Sequence, residues 1–208
     1  MRYATPYRGS GSAIARKPGT RCTFVFRFAP ESDPQTTLKL KVEVNTREHA
    51  NLHGLKSYPF AVDNDWYQAK AEIACFTPEE LFGTKLRALL QRRKNRDMFD
   101  LHYGLEQLAI DDDKLVTCFY HYLKLEGQQI SRAMAEQRML QKLTGSLVED
   151  IAPLLPTGMR YGESDAVEAF NGIWKRLVTK LKGKPWKSSD EAITELRLKR
   201  FPGLLLDG

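Results

Sequence analysis

Thr77-Pro78-Glu79-Glu80-Leu81-Phe82-Gly83-Thr84-Lys85-Leu86-Arg87-Ala88-Leu89-Leu90-Gln91-Arg92-Arg93-Lys94-Asn95-Arg96-Asp97-Met98-Phe99-Asp100-Leu101 is where the pattern of the chain changes. Thr77 is a helix-capping residue, Pro78 suits a first helical turn, and Glu80 stands where a capping box needs a carboxylate. Leu81, Leu86, Leu89 and Leu90 carry the helix to about Arg93, and Lys94-Asn95 breaks it. A second helix is expected from about Asp97 to Leu108, with Phe99, Leu101, Tyr103 and Leu105 as its apolar surface.

Before this stretch the period is two. Leu38, Leu40, Val42 and Val44 alternate with Lys39, Lys41, Glu43 and Asn45, the pattern of a strand. Phe24, Phe26 and Phe28 share a face of a strand over Cys22–Phe28, and the polar turn between Pro30 and Pro34 makes the two an antiparallel pair. Glu72–Phe76 is a third short strand. After the stretch the pattern is helical. Asp111-Asp112-Asp113 opens a helix bearing Leu115, Phe119, Tyr122 and Leu123, and Ser131 opens another bearing Met134, Met139, Leu140 and Leu143. Leu147–Leu155 reads as a short helix. Ser164–Lys182 reads as a long one, with Val167, Phe170, Ile173, Trp174, Leu177, Val178 and Leu181 at helical spacing. The pattern of the tail, Trp186–Gly208, does not decide its order. Strands followed by helices predict an α+β fold with segregated layers. The expected organisation is a flexible segment over 1–20, a β-rich core with the signature helix over 21–93, a helical domain over 94–182 and a tail over 183–208.

A chain of 208 residues with 42% hydrophobic residues can bury a useful core, and no run of it is long and apolar enough to span a membrane. The N-terminus lacks the apolar stretch of a secretory signal, and the odd set Cys22, Cys75 and Cys118 reads as buried thiols of a reducing cytoplasm. His49, His53, His102 and His121 have no metal-ligand spacing. Gly9-Ser10-Gly11-Ser12 is not a phosphate loop, since no Gly-Lys-Ser or Gly-Lys-Thr follows. Trp66, Trp174 and Trp186 read as packing residues. The net charge of +6 favours polyanionic partners, and the cations cluster in residues 2–27, in Arg87–Arg96 and in Lys175–Lys187.

Lys85, Ala88, Leu89 and Arg92 fall on one helical stripe, which suggests basic groups at the edge of a pocket with their stems on apolar surface. Asp97 and Asp100 lie at the start of the next helix, where the dipole favours carboxylates. Two readings stand side by side. In one, Asp97 caps its helix and Asp100 pairs with Arg92 or Arg96. In the other, Lys85 or Arg92 meets phosphate and Asp97 places a metal, a ribose or a base. Glu43 is a rigidly held strand carboxylate suited to a metal if its face lines a cleft, and merely exposed if it does not.

Lys39-Leu40-Lys41-Val42-Glu43-Val44-Asn45-Thr46-Arg47-Glu48-His49 and the stretch from Thr77 to Leu101, with Pro59-Phe60 and Trp66 between them, resemble the AbiEii/AbiGii toxin family. Phe119-Tyr120-His121-Tyr122, Glu126-Gly127 and Ser131-Arg132 extend the resemblance, which covers about residues 20 to 180. It implies part of a polymerase-β-like nucleotidyltransferase sheet followed by helices. It also implies a toxin of toxin–antitoxin or abortive-infection phage-defence systems, one that transfers a nucleotide from an NTP to an RNA such as tRNA with Mg²⁺, and a cognate antitoxin as partner. On this resemblance Glu43 is the metal carboxylate, Lys85 holds the triphosphate, Asp97 is catalytic or positions the nucleotide, and Arg92 and Asp100 join the nucleotide site. The family opens with a Gly-Gly-Thr or Gly-Gly-Ser turn and an Asp-x-Asp. Here no acid precedes Glu31, so the expectation is an N-terminally truncated member with impaired activity. The alternative is a non-catalytic remnant that binds RNA or an antitoxin.

Overall fold

The computed structural model describes residues 14–16, 21–30, 32–45, 50–65 and 67–206. The chain divides into two compact units, Met1–Asn51 and Leu52–Gly208.

The first unit holds β1 (Ile14–Arg16), β2 (Arg21–Phe28) and β3 (Leu38–Asn45) as an antiparallel sheet in that order. The pairing expected from alternation is present, with Phe24 opposite Val42, Phe26 opposite Leu40 and Phe28 opposite Leu38. That register gathers the aromatic and aliphatic side chains on one face and leaves Lys39, Lys41 and Glu43 on the other. Asp33 closes the connecting turn, accepting from Thr36 Oγ1 and, at 3.3 Å, from Gln35 N. Of the stretch 1–20, expected to be flexible, only Ile14–Arg16 lies among the described residues.

The second unit begins with a hairpin of β4 (Leu55–Asp63) and β5 (Gln68–Phe76), in register from Leu55 opposite Phe76 to Asp63 opposite Gln68. β5 contains the expected Glu72–Phe76 strand, whereas β4 escaped the sequence reading. Pro59 interrupts its pattern, and a proline is tolerated there because a two-stranded sheet has only edge strands. Asp63-Asn64-Asp65 forms the hairpin turn, where Tyr67 N donates to Asn64 Oδ1 at 2.9 Å.

Six helices follow: α1 (Pro78–Gln91), α2 (Arg96–Gln107), α3 (Asp112–Leu125), α4 (Arg132–Lys142), α5 (Glu163–Arg176) and α6 (Ser189–Lys199). The caps expected at Thr77, Asp111 and Ser131 are formed. Glu80 corrects the capping-box expectation. Its backbone N–H donates to Thr77 Oγ1 at 3.4 Å, but its fully buried carboxylate accepts from Leu52 N, His53 N and Tyr122 Oη at 2.5, 3.1 and 2.7 Å. Burial explains the diversion, since a carboxylate removed from water needs several donors.

Leu147–Leu155 is not an α-helix and holds only a 3₁₀ turn at Ala152–Leu154. The expected long helix ends at Arg176 and is followed by a 3₁₀ turn, Val178–Lys180. Leu177, Val178 and Leu181 are buried all the same, because apolar spacing is satisfied by either kind of turn. The tail contains α6. Trp186 N donates to Glu136 Oε2 at 2.8 Å, and Asn171 ties down the last turn through Gly203 O and Leu205 N, both at 2.8 Å. Ile193, Phe201, Leu204 and Leu205 are buried in the same apolar core as Leu86, Leu101, Phe119 and Phe170, and that core is continuous across residues 93 and 94. Trp174 belongs to it and Trp186 packs on it, as the sequence suggests. No helix among the described residues is long and apolar enough to cross a membrane.

α1 and α3 approach closely at Gly83. A Cβ there would lie 2.7 Å from Cys118 Cβ and 3.0 Å from both Leu115 O and Phe119 N. Two of those atoms are helix backbone and cannot yield alone. Gly83→Ala is therefore expected to destabilise the chain by about 1–3 kcal/mol, despite a helix propensity gain of about 1 kcal/mol. A urea midpoint that stays or rises would contradict this packing.

Candidate functional site

The α1–α2 hairpin brings Lys85, Asp97 and Asp100 together. Lys85, half-buried midway along α1, places Nζ 2.5 Å from Asp100 Oδ2 and 3.7 Å from Asp97 Oδ1. Asp97 is only 2% exposed, and its Oδ2 is buried without a hydrogen-bond partner. Asp100 pairs with Lys85, so the expected pairing with Arg92 or Arg96 is not what forms. Nor does Asp97 cap α2. Asn95 takes the capping position with helical backbone angles, and its side chain donates instead to Ser146 O at 2.9 Å. Asn95 Oδ1 is a second buried acceptor without a partner. Two orphaned acceptors at one helix start are unusual, because each costs about 1–3 kcal/mol.

Arg92 does not share the stripe of Lys85. α1 ends at Gln91, and Arg92 turns to extended backbone while its N–H still donates to Ala88 O at 2.9 Å. The helix stops because the chain must double back for Asp97 and Met98 to be buried. Arg92, Arg93, Lys94 and Arg96 are exposed, and their side chains make no ion pair among the described residues. Arg87 differs from them, standing 3.2 Å from Glu126 and over the Tyr122 ring. The tail cations are also largely engaged. Arg176 reaches Asp112 and Leu105 O, Lys180 reaches Asp113, and Lys182 lies over the Tyr120 ring. The α1–α2 turn thus carries an exposed basic cluster whose side chains form no ion pair among the described residues.

Sequence reasoning missed Lys142. It ends α4, is 9% exposed, and donates from Nζ to Arg92 O at 2.7 Å and Lys94 O at 3.2 Å. Burial lowers its pKa to about 8, against the pull of Asp97 and Asp150 in the opposite direction. Asp150 also fixes the turn, accepting from Asn95 N at 3.0 Å. No local signal marks Lys142, since its partners lie about 50 positions away.

Glu43 lies on β3 in the first unit, with Oε1 2.8 Å from Lys41 Nζ and its side chain 37% exposed. No group of three or more metal-binding side chains converges among the described residues. Glu43 is thus a strand carboxylate engaged by a lysine, and a divalent ion held there would need further oxygen ligands. Cys118 is buried as expected, and burial raises its pKa to about 11; Cys22 and Cys75 are only half-buried.

The family described as nucleotidyl transferase AbiEii toxin, type IV toxin–antitoxin system, matches residues 4–174. The chain belongs to the AbiEii family. No curated protein and no solved structure matches it. The matched span contains both strand blocks and the whole Lys85–Asp97–Asp100 hairpin. Membership places the chain among nucleotidyl transferase toxins of type IV toxin–antitoxin systems. Its mixed α and β architecture agrees with part of a nucleotidyltransferase fold.

Lys142 yields a pH prediction for this AbiEii chain. Its folded pKa lies below the unfolded value, so between about pH 8 and 10.5 the unfolded chain holds the extra proton. Stability from this group then rises with pH in that window, by up to about 1.4 kcal/mol per unit. Cys118 acts oppositely above pH 9, but it is common to parent and variant. The stability difference between the parent and Lys142→Met should therefore shift in the parent's favour from pH 8 to 10, read from urea midpoints. A difference independent of pH would contradict the burial of the ammonium.

Proposed function

We propose that the Lys85–Asp97–Asp100 cluster binds a nucleoside triphosphate and that the chain transfers its nucleotidyl group to an RNA acceptor of the tRNA kind. One observation carries the reading: a half-buried ammonium held between two carboxylates, one with a buried unpartnered oxygen, beside a turn of unpaired cations. In the reaction the acceptor hydroxyl oxygen bonds to the α-phosphorus. The bond from that phosphorus to the α–β bridging oxygen breaks, and pyrophosphate leaves with the electron pair.

Lys85 exchanges Asp100 for phosphate oxygens and neutralises their charge, which is most of what such transfers require. Asp97 Oδ2 either accepts a hydrogen bond from the nucleotide ribose and orients it, the attacking hydroxyl then losing its proton to solvent, or itself takes the acceptor hydroxyl's proton as that oxygen attacks. Asp100 holds Lys85 in place until the nucleotide arrives. Arg92, with Arg93, Lys94 and Arg96, receives the RNA backbone, where contacts to phosphate position the acceptor. Such a toxin acts in a cytoplasm that supplies both NTP and RNA, and its arrest of RNA function suits phage defence.

A second reading has its own support. Because the described residues do not assemble a metal cage, the chain also fits a non-catalytic family member that binds RNA or an antitoxin. One experiment separates the two. The chain is incubated with each α-labelled NTP in turn, total tRNA and Mg²⁺, and label is followed into RNA. The expected result is label from at least one nucleotide. Lys85→Ala should lower it roughly 100-fold and Asp97→Asn by about 10²–10⁴, with unchanged melting. No label from any nucleotide, together with salt-dependent RNA binding, would overturn transfer and favour the binding module.

A further inference from the structure

The C-terminal end of α1 lacks a basic residue in its last turn, so its final carbonyls must find donors elsewhere. α4 supplies them. Arg138 Nη1 donates to Leu90 O at 3.0 Å, and Lys142, one helical turn further on, donates to Arg92 O and Lys94 O. Two cations on one face of α4 thus grip three successive alternate carbonyls where α1 runs into the turn. The same turn is held at its other end by Asn95, through Asp150 Oδ2 and Ser146 O.

A buried lysine is an expensive way to satisfy two carbonyls, because a neutral donor would serve without the desolvation cost. The charge itself has a use here. Asp97 from α2 and Asp150 from the segment after α4 face it and need compensation. The turn it grips bears Arg92, Arg93, Lys94 and Arg96, whose exposed side chains make no ion pair among the described residues, and like charges so close drive a free turn apart.

We propose that Lys142, with Arg138 beside it, is a positioning residue that clamps the Arg92–Arg96 turn from behind into a single shape, so that its exposed cations meet an RNA phosphate backbone next to Lys85. The inference rests on the RNA-directed reading above. The gain is pre-organisation: a turn already in its bound shape loses less entropy when RNA arrives.

The test uses the full chain and Lys142→Met, which keeps the unbranched side chain to within one atom of its length and removes its donors. Amide exchange is measured along the chain, and binding of a fluorescein-labelled single-stranded RNA is followed by anisotropy over a series of salt concentrations. In the variant, exchange over 92–99 should quicken about tenfold while α3 and α5 keep their protection. RNA affinity should fall about tenfold, about 1.4 kcal/mol, with the slope of affinity against salt unchanged because every turn cation remains. Arg93→Ala, by contrast, should reduce that slope by about one.

Unchanged exchange over 92–99 overturns the clamp. So does parent-like RNA affinity in a variant whose turn has loosened, and so does a salt slope that drops as in Arg93→Ala, which would make Lys142 a direct contact. If Lys142→Met does not fold, Arg138→Met, at a half-buried position, should give the same local loosening at smaller amplitude, and its absence counts against the clamp equally. A parent chain that binds no RNA overturns the RNA-directed reading itself and leaves the clamp without the use assigned to it.

Discussion

The buried side of α1 is where α2, α3 and α4 of the second unit meet. Leu86, Leu89 and Leu90 are removed from water there, and the absence of a side chain at Gly83 lets α3 come close enough for Cys118 and Phe119 to seal the contact. A buried aliphatic side chain contributes about 1.5–3 kcal/mol, so this seam is a large share of what holds the unit. Its direction also has a consequence for chemistry. With Leu86 and Leu89 turned inward, Lys85 is left at the border of the core, its stem shielded and its ammonium beside the start of α2. The position of the candidate site is therefore a by-product of helix packing.

Buried polar groups then decide the fine geometry. Glu80 is satisfied by three donors drawn from the loop before β4 and from α3, which locks the N-terminal end of α1. Lys142 and Arg138 lock the other end. Glu136 accepts from Arg132 and from Trp186 N, joining the tail to α4. In each case a group that would be costly alone is made tolerable by several partners. Asp97 Oδ2 and Asn95 Oδ1, two residues apart at the start of α2, break this rule, as do His121 Nε2, Tyr161 Oη and Ser189 Oγ elsewhere. Unsatisfied acceptors persist where surrounding structure over-determines them, and such places are commonly sites of function.

The legible part of the molecule was whatever local pattern controls. Alternation in Leu38–Asn45 placed β3 and its register with β2, since a slip of one residue would turn every apolar side chain outward. Thr77, Asp111 and Ser131 marked helix starts because capping is a contact between near neighbours. β4 was hidden by Pro59, and the order of the tail by the lack of a strong period in α6, whose anchors are Glu136 and Asn171 far back in the chain. Of the candidate site, the succession of α1 and α2 could be read from spacing, and the family resemblance put Lys85 and Asp97 in one site, but spacing pointed Asp100 toward Arg92 or Arg96 rather than Lys85.

By itself, then, the sequence determined the α+β order, the strand pair, the principal helix starts and the family, all of which depend on residues within a few positions of one another or on an extended shared motif. Tertiary structure alone decided that Lys85 and not an arginine partners Asp100, that Asp97 is buried with an oxygen to spare, and that Arg92 leaves the helix. It alone brought Lys142 to the back of the turn. The physical reason is common to all of these: burial and long-range donors set the energy of a polar group, and neither is a property of its neighbours in the chain.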